Sequence, residues 1–379
     1  MIRPKYYLYN FLFVLSSLYH VSVQSQQTTE FVWMQPENEE NFNFCGQGWD
    51  HKELKSPYDR LPSKVEGVVR EAVWNLSRHT AGVYLNFVTD ASEIRIRYQT
   101  NSRYEMPHMP ATGVSGLDLY VRSNEPHPWL WCKGRYGFGD TINYIYSELN
   151  TRNPEPGKKY EYNLYLPLYN SIKWLEIGIP EGSTISPPTS PKGKPIVVYG
   201  TSIAQGGCAS RPAMGWTSIV QRYLDRPVIN LAFSGNGRLE EEVVDLIGEI
   251  DAELYILDCL PNLTSEETYP DSELRKRIIR SVLQLKKLHP TTPILLTAHA
   301  GYSEEEVAET SHYRVERVNR ILEDTFYTLK NDGVTDIYLL PRYEIEMCMD
   351  CTVDGVHQTD LGMQYYADAY VKTIRRILN

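Results

Sequence analysis

Pro195-Ile-Val-Val-Tyr-Gly-Thr-Ser-Ile-Ala204 is the stretch whose reading decides the fold. Four apolar residues follow a proline and end at Gly200, and a helical pattern begins soon afterwards. A short apolar run bounded by Pro and Gly reads as a strand buried on both faces. The same unit recurs downstream. Apolar runs fall at 228–231, 254–257, 294–297 and 337–340, and helical patterns at about 216–224, 239–250, 272–288, 304–331 and 360–378. Apolar strands alternating with amphipathic helices specify a parallel sheet with helices on both faces. The expectation for 195–379 is therefore α/β: a three-layer α/β/α, flavodoxin-like domain with a five-stranded parallel sheet.

Upstream the rhythm differs. Short alternating runs at 83–88, 93–98, 117–121, 160–166 and 172–177 are separated by turn residues. Alternation at short spacing reads as an antiparallel sandwich, here a jelly-roll-like N-terminal β-sandwich over 30–190. A segment rich in Pro and Gly, 180–195, contains Pro187, Pro188 and Pro191 and reads as the connection. A chain of 379 residues is long for one core, which agrees with two domains.

The net charge is −10, with 42% hydrophobic and 23% charged residues. That is a globular composition without the basic face a nucleic-acid partner needs. At the start, Arg3 and Lys5 precede an uncharged stretch centred on Phe11, Leu12, Phe13, Val14 and Leu15, with small residues Val23 and Ser25 at its end. This pattern is that of a signal peptide over 1–25, removed on export to the periplasm or exterior. Asn10, Ser16, Ser17 and His20 interrupt the apolar run, so no stable membrane insertion is expected after signal removal. Six cysteines follow: Cys45, Cys132, Cys208, Cys259, Cys348 and Cys351. Six allow 15 pairings. The Cys348/Cys351 pair has no second C-x-x-C or H-x-x-x-H to complete a zinc site, so structural or free thiols are expected there, and no metal site or cofactor elsewhere.

Ligands of open α/β sheets bind beyond the carboxyl ends of the strands. Those ends deliver Gly200-Thr-Ser202-Ile, then Phe233-Ser-Gly235-Asn-Gly, then Asp258-Cys-Leu-Pro-Asn262, then Ala298-His299-Ala-Gly, and finally Asp354-Gly-Val-His357. A serine hydroxyl becomes a nucleophile when a base takes its proton. His357 is the candidate base. Asp354, three residues earlier, faces the same way on a helical turn and can hold one ring nitrogen while the other meets Ser202. The backbone N–H groups of Ser202 and Gly235 and the side-chain amide of Asn262 are candidate oxyanion donors. His299 has two readings, a pocket-lining residue or a hydrogen-bonded core histidine. Arg211 and Trp216 lie near Ser202 in sequence, and helix packing is the expected role of Trp216. Taken singly, each motif also has a plain structural reading. Ser202 suits a helix start, Asp354 or Asp360 a helix cap, and Gly235 a turn. Asn262 and Asn75 also open N-x-S/T sequons.

Together, in order and each at a separate strand end, these residues resemble the blocks of the SGNH/GDSL hydrolase superfamily. Gly-Thr-Ser202-Ile is similar to the first block, with Thr201 where the family has Asp. Gly235 is similar to the second, Asn262 to the third and Asp354-Gly-Val-His357 to the fifth. Of the third block's G-x-N-D only the Asn is kept. Gly116-Leu-Asp-Leu-Tyr120 matches the G-x-D-L-Y signature of a β-sandwich domain joined to such hydrolases. The combination resembles the two-domain secreted esterases of Bacteroidetes. It implies hydrolysis of a carboxylic ester without metal, often deacetylation of carbohydrate. The alternatives are acyl transfer by the same triad and a non-catalytic glycan-binding protein. Abundant aromatics (28 Tyr, 7 Trp) suit sugar stacking, with Trp129, Trp131, Tyr136 and Tyr144 clustered in the first half.

Overall fold

In a computed structural model of the chain, the described residues are 29–122, 128–152, 157–188 and 193–378. The signal-like segment 1–25 lies outside them.

The upstream strands are β1 (Phe31–Met34), β2 (Asn43–Cys45), β3 (Tyr84–Thr89), β4 (Ile94–Thr100), β5 (Asp118–Arg122), β6 (Trp129–Cys132), β7 (Arg135–Gly137), β8 (Ile142–Tyr146), β9 (Tyr160–Tyr165), β10 (Ile172–Pro180) and β11 (Ile185–Ser186). They form two antiparallel sheets, ordered β1-β10-β4-β8-β7 and β11-β3-β9-β5-β6, with β2 also on β3. Alternation decides which residues turn inward. Along β4, Ile94, Ile96 and Tyr98 are buried while Arg95 and Arg97 point out, and Leu85, Phe87 and Leu164 complete the core from the facing sheet. Six strands escaped the sequence reading. Most are short, and the periodicity of three or four residues is not distinctive. The segment 180–195 does not begin as a free connection, because β10 continues to Pro180 and β11 pairs with β3.

The downstream half is the parallel sheet: β12 (Ile196–Gly200), β13 (Val228–Ala232), β14 (Leu254–Asp258), β15 (Ile294–Thr297) and β16 (Ile337–Leu340), in the flavodoxin-like order β13-β12-β14-β15-β16. Both faces are covered. Val197, Tyr199, Tyr255 and Leu257 pack on one side against α5 (Glu241–Ile247), α6 (Asp271–Leu288) and α7 (Glu309–Asn331). Ile196, Val198, Leu254 and Ile256 pack on the other against α4 (Trp216–Leu224) and α8 (Asp360–Leu378). Trp216 is fully buried there and stacks on Tyr370 at 4.0 Å. The helical pattern expected from 304 starts late. Residues 303–307 form turns before α7.

One upstream segment does not join the sandwich. Trp49, Leu54, Leu61, Val65, Val69 and, from α1 (Glu71–Ser77), Val73 and Trp74 pack in the core of the parallel sheet. Arg60, about 1% exposed, donates to the Asn230 and Ala232 carbonyls at 3.0 and 2.7 Å and to those of His79 and Leu76, both at 2.7 Å. Its guanidinium lies over the Phe233 ring. A buried guanidinium needs its donors paired, and four carbonyls take four of the five N–H groups. The G-x-D-L-Y signature makes a second tie. Asp118 is buried and accepts from Arg211 Nη1, the Ala213 N–H and Trp131 Nε1 at 2.9, 2.9 and 3.0 Å. Arg211 thus serves to bind the sandwich to the segment after Ser202.

Candidate active site

Ser202 stands at the first turn of a four-residue helix, α3 (Ser202–Gln205), immediately after β12. Thr201 caps this helix by accepting from the Ile203 N–H, so the residue in the family's Asp position serves the turn. Ser202 is at the helix start, where the backbone N–H has no intrahelical acceptor. Its Oγ lies 2.7 Å from His357 Nε2, and His357 Nδ1 lies 2.8 Å from Asp354 Oδ2. The three residues named from the sequence therefore meet, across 155 positions of chain.

The Asp354 turn is built from its own side chain. Asp354 Oδ1 accepts the N–H groups of Val356 and His357 at 3.1 and 2.8 Å, while Oδ2 faces the ring. Partial burial works to raise the Asp354 pKa, but the bonds and charge of His357 outweigh it and hold the carboxyl below its ordinary value. Asp354 is thus a carboxylate at neutral pH, the form that favours a proton on Nδ1 and leaves Nε2 to accept from Ser202. Gly207 makes room for this contact. A Cβ there would lie 3.0 Å from Ser202 O and 3.1 Å from His357 Cδ2.

The other two block residues lie on the loops that follow β13 and β14. Gly235 has φ of +68°, and a Cβ built on it would meet nothing within 4 Å, so its backbone borders open space. Asn262 Oδ1 accepts the Gly237 N–H at 3.1 Å, which commits its oxygen and leaves the amide NH₂ as the outward donor. Asn262 is half-buried rather than buried, and Asn75 is exposed.

His299 is the buried alternative of its two readings. It is 2% exposed, its Nδ1 accepts the Gly301 N–H at 2.9 Å, its backbone is bound to Asn319, and its ring packs edge-on to Tyr302. Burial, then the charge of Arg342, pushes its pKa down to about 3, so it is a neutral core residue rather than a pocket wall. Cys348 and Cys351 are joined in a disulfide just before the Asp354 turn. Of the four aromatics grouped in the sequence, Trp129 and Tyr144 are buried, whereas Trp131 and Tyr136 are about half-exposed.

Several site neighbours gave no signal in the sequence. Gln205 is fully buried, and its Oε1 accepts the Ser234 N–H at 2.8 Å, tying α3 to the Gly235 loop. The Tyr169 hydroxyl donates to Ser202 O at 3.0 Å. The His108 ring is 6.0 Å from that of His357. All but Gln205 come from the upstream half and reach the site through tertiary packing alone. One grouping departs from the sequence expectation of no metal-ligand cluster. Ligating atoms of Cys208, Asp354 and His357 lie within 4.8 Å of one another.

An α/β/α sheet of this strand order behind an antiparallel sandwich is the architecture of an SGNH-type hydrolase, which cleaves ester bonds. Residues 193–375 match the GDSL-like lipase/acylhydrolase family, and residues 31–185 match the GxDLY family, the N-terminus of SGNH-hydro-type esterases. The chain thus carries a GDSL-like lipase/acylhydrolase domain behind a GxDLY N-terminal domain, and is an ester-bond hydrolase. Among solved structures it is similar to a protein from Bacteroides ovatus ATCC 8483 described as a GDSL-like lipase. The two share 27% identity over 92% of this chain and 98% of that one, with a TM-score of 0.81. It also shares its fold with the salicylyl-acyltransferase SsfX3 from a tetracycline biosynthetic pathway (18% identity, 92% and 97% covered, TM-score 0.72). A family two carbohydrate esterase from Cellvibrio japonicus shares it too (12% identity, 92% and 98% covered, TM-score 0.57). No curated protein matches the chain in sequence. Among the described residues, no helix is long and apolar enough to cross a membrane.

Proposed function

We propose that the chain is an exported serine esterase that removes a short acyl group, acetyl foremost, from a carbohydrate. In this reading 30–190 and 195–379 are its two domains. Ser202 Oγ attacks the ester carbonyl as His357 Nε2 takes its proton. Asp354 holds the imidazole and stabilises the imidazolium that forms, and His357 then returns the proton to the leaving alcohol. Ser202 N–H, Gly235 N–H and Asn262 Nδ2 receive the oxyanion, each such donor contributing roughly 2.7–4 kcal/mol to the transition state. The 2.7 Å contact between Ser202 Oγ and His357 Nε2 is the observation that carries this reading. The carbohydrate assignment draws on the shared fold of the Cellvibrio esterase and on the half-exposed rings of Trp131 and Tyr136. Export draws on the signal-like N-terminus and the Cys348–Cys351 bond, a kind that persists in oxidising compartments.

Ser202→Ala is expected to abolish release of p-nitrophenol from its acetate ester and of acetate from acetylated glycans, with the circular dichroism spectrum unchanged. Undiminished turnover removes Ser202 from the mechanism. The likeness to the salicylyl-acyltransferase favours one second reading, transfer of the acyl group to an alcohol. Partitioning of the acyl group between water and added alcohols, followed by mass spectrometry, separates the two.

A further inference from the structure

Acyl transfer by the residues above leaves one reactive atom beside them unused, the thiol of Cys208. The route of the chain puts it there. α3 ends at Gly206, and the Gly207 N–H donates back to Ser202 O at 2.8 Å. Cys208 then adopts φ of +69°, a left-handed conformation that a residue with a Cβ holds only under strain. Its Sγ, a carboxylate oxygen of Asp354 and a ring nitrogen of His357 all fall within 4.8 Å of one another. Cys208 is 5% exposed, but the Asp354 and His357 side chains are 37% and 23% exposed, which leaves a path from solvent.

We propose that Cys208, Asp354 and His357 form a binding site for a zinc-like divalent cation, and that filling it switches the hydrolase off reversibly. The donor set selects the ion. One sulfur, one imidazole and one carboxylate are the three ligand types zinc takes, and three protein ligands plus a water is its open-site form. Magnesium and calcium require shells of oxygen and are excluded by the thiol. A tetrahedral zinc shell holds its ligand atoms about 3.3–3.7 Å apart. Filling the site requires the Asp354–His357 contact, 2.8 Å long, to open. Binding takes the thiolate of Cys208 and releases its proton to solvent with no change of oxidation state. Whichever nitrogen of His357 the ion takes, the relay is broken. One nitrogen is needed to accept from Ser202 and the other to be held by Asp354. The inhibitory half of this proposal rests on the triad reading, and the binding half does not.

The test uses the full chain and two ions. Cobalt(II) titrated into the wild type should raise an ultraviolet thiolate-to-metal absorption band, and Cys208→Ser and Cys208→Ala should both lack it. Zinc should inhibit aryl-ester hydrolysis, with recovery on adding EDTA. The zinc concentration for half-inhibition should rise at least tenfold in either variant, each compared with its own metal-free rate. No band in the wild type, a band that survives both substitutions, or unchanged zinc sensitivity overturns the site. A Cys208-dependent band in a protein whose hydrolysis survives Ser202→Ala would keep the site and overturn the triad.

Discussion

The two partners of the central contact are held by opposite means. Ser202 sits where β12 meets α3, every residue from Ile196 to Ala209 is buried, and Gly200 pairs laterally with Ala232 and Asp258 of the neighbouring strands. His357 sits in a half-exposed turn held by Asp354's own bonds, by the Val353 N–H to His357 O at 2.8 Å, and by the Ser303 N–H to Gly355 O at 3.1 Å. The nucleophile inherits its position from the core, and the base owes its position to local chemistry. The two ends should therefore respond differently to damage.

Removing the base tests this most strongly. His357→Ala should lower kcat by about 10⁴-fold, as loss of a positioned proton acceptor does, while the melting temperature stays put. A large fall in melting temperature would mean that the turn carries the fold. On the core-borne side the reverse holds. Arg60→Ala removes the donor from four carbonyls, two of the bonds fully buried, and should cost about 3–5 kcal/mol in urea unfolding. A neutral result would show that the upstream segment is not part of the scaffold under Ser202. Asp258, paired with Gly200 in register, gives that scaffold a pH signature. Burial raises its pKa from 3.8 to about 7, opposed by a Tyr370 hydrogen bond. Its stabilising contribution is then whole below pH 3.8 and is lost as pH rises to about 7, where the unfolded chain is already ionised. The wild-type melting temperature should fall across that window relative to Asp258→Asn, by the equivalent of a few kcal/mol. Parallel curves for the two proteins would refute the assignment.

Gly207 lies on the seam between the two ends. Gly207→Ala should displace the Ser202–His357 contact and lower kcat by about 10²-fold with KM little changed, since small misplacements at a reacting pair have effects of that size. A change confined to KM would put the methyl group in the substrate's way instead. The smallest expected effect is on the local side. Cys351→Ser frees a bridge closing a very short loop, worth no more than about 2 kcal/mol, and should loosen the turn without unfolding the sheet. Global unfolding on reduction would contradict a locally held base.

The same contrast explains what was legible in the sequence. The five parallel strands and the three residues that meet at the site were readable because each strand is an apolar run, interrupted only by Asn230 in β13, and each site residue follows one directly or stands in a short local motif. Asp354 and His357 share one turn, so spacing alone placed them together. The contributions of Arg60, His108 and Tyr169 were not readable, because nothing within a few residues of each points toward β13, His357 or Ser202. Their roles exist only once the upstream segment packs on the sheet. Cys208 was hidden for the same reason, six residues beyond the nucleophile but brought beside Asp354 by the left-handed turn after Gly207. His299 shows the limit in the other direction. It stands at a strand end as Ser202 does, yet its ring turns into the core, and strand-end position alone does not say which way a side chain faces.

Trapping the acyl-enzyme is the most direct test of the claim that Ser202 and His357 act on esters as a pair. The protein would be mixed with p-nitrophenyl acetate, quenched in acid within one turnover, and its peptides mapped by mass spectrometry. The account predicts one acetyl adduct, on Ser202, absent from His357→Ala under the same conditions. An adduct on another residue, or an unmodified Ser202 in a protein that turns over the ester, would contradict it.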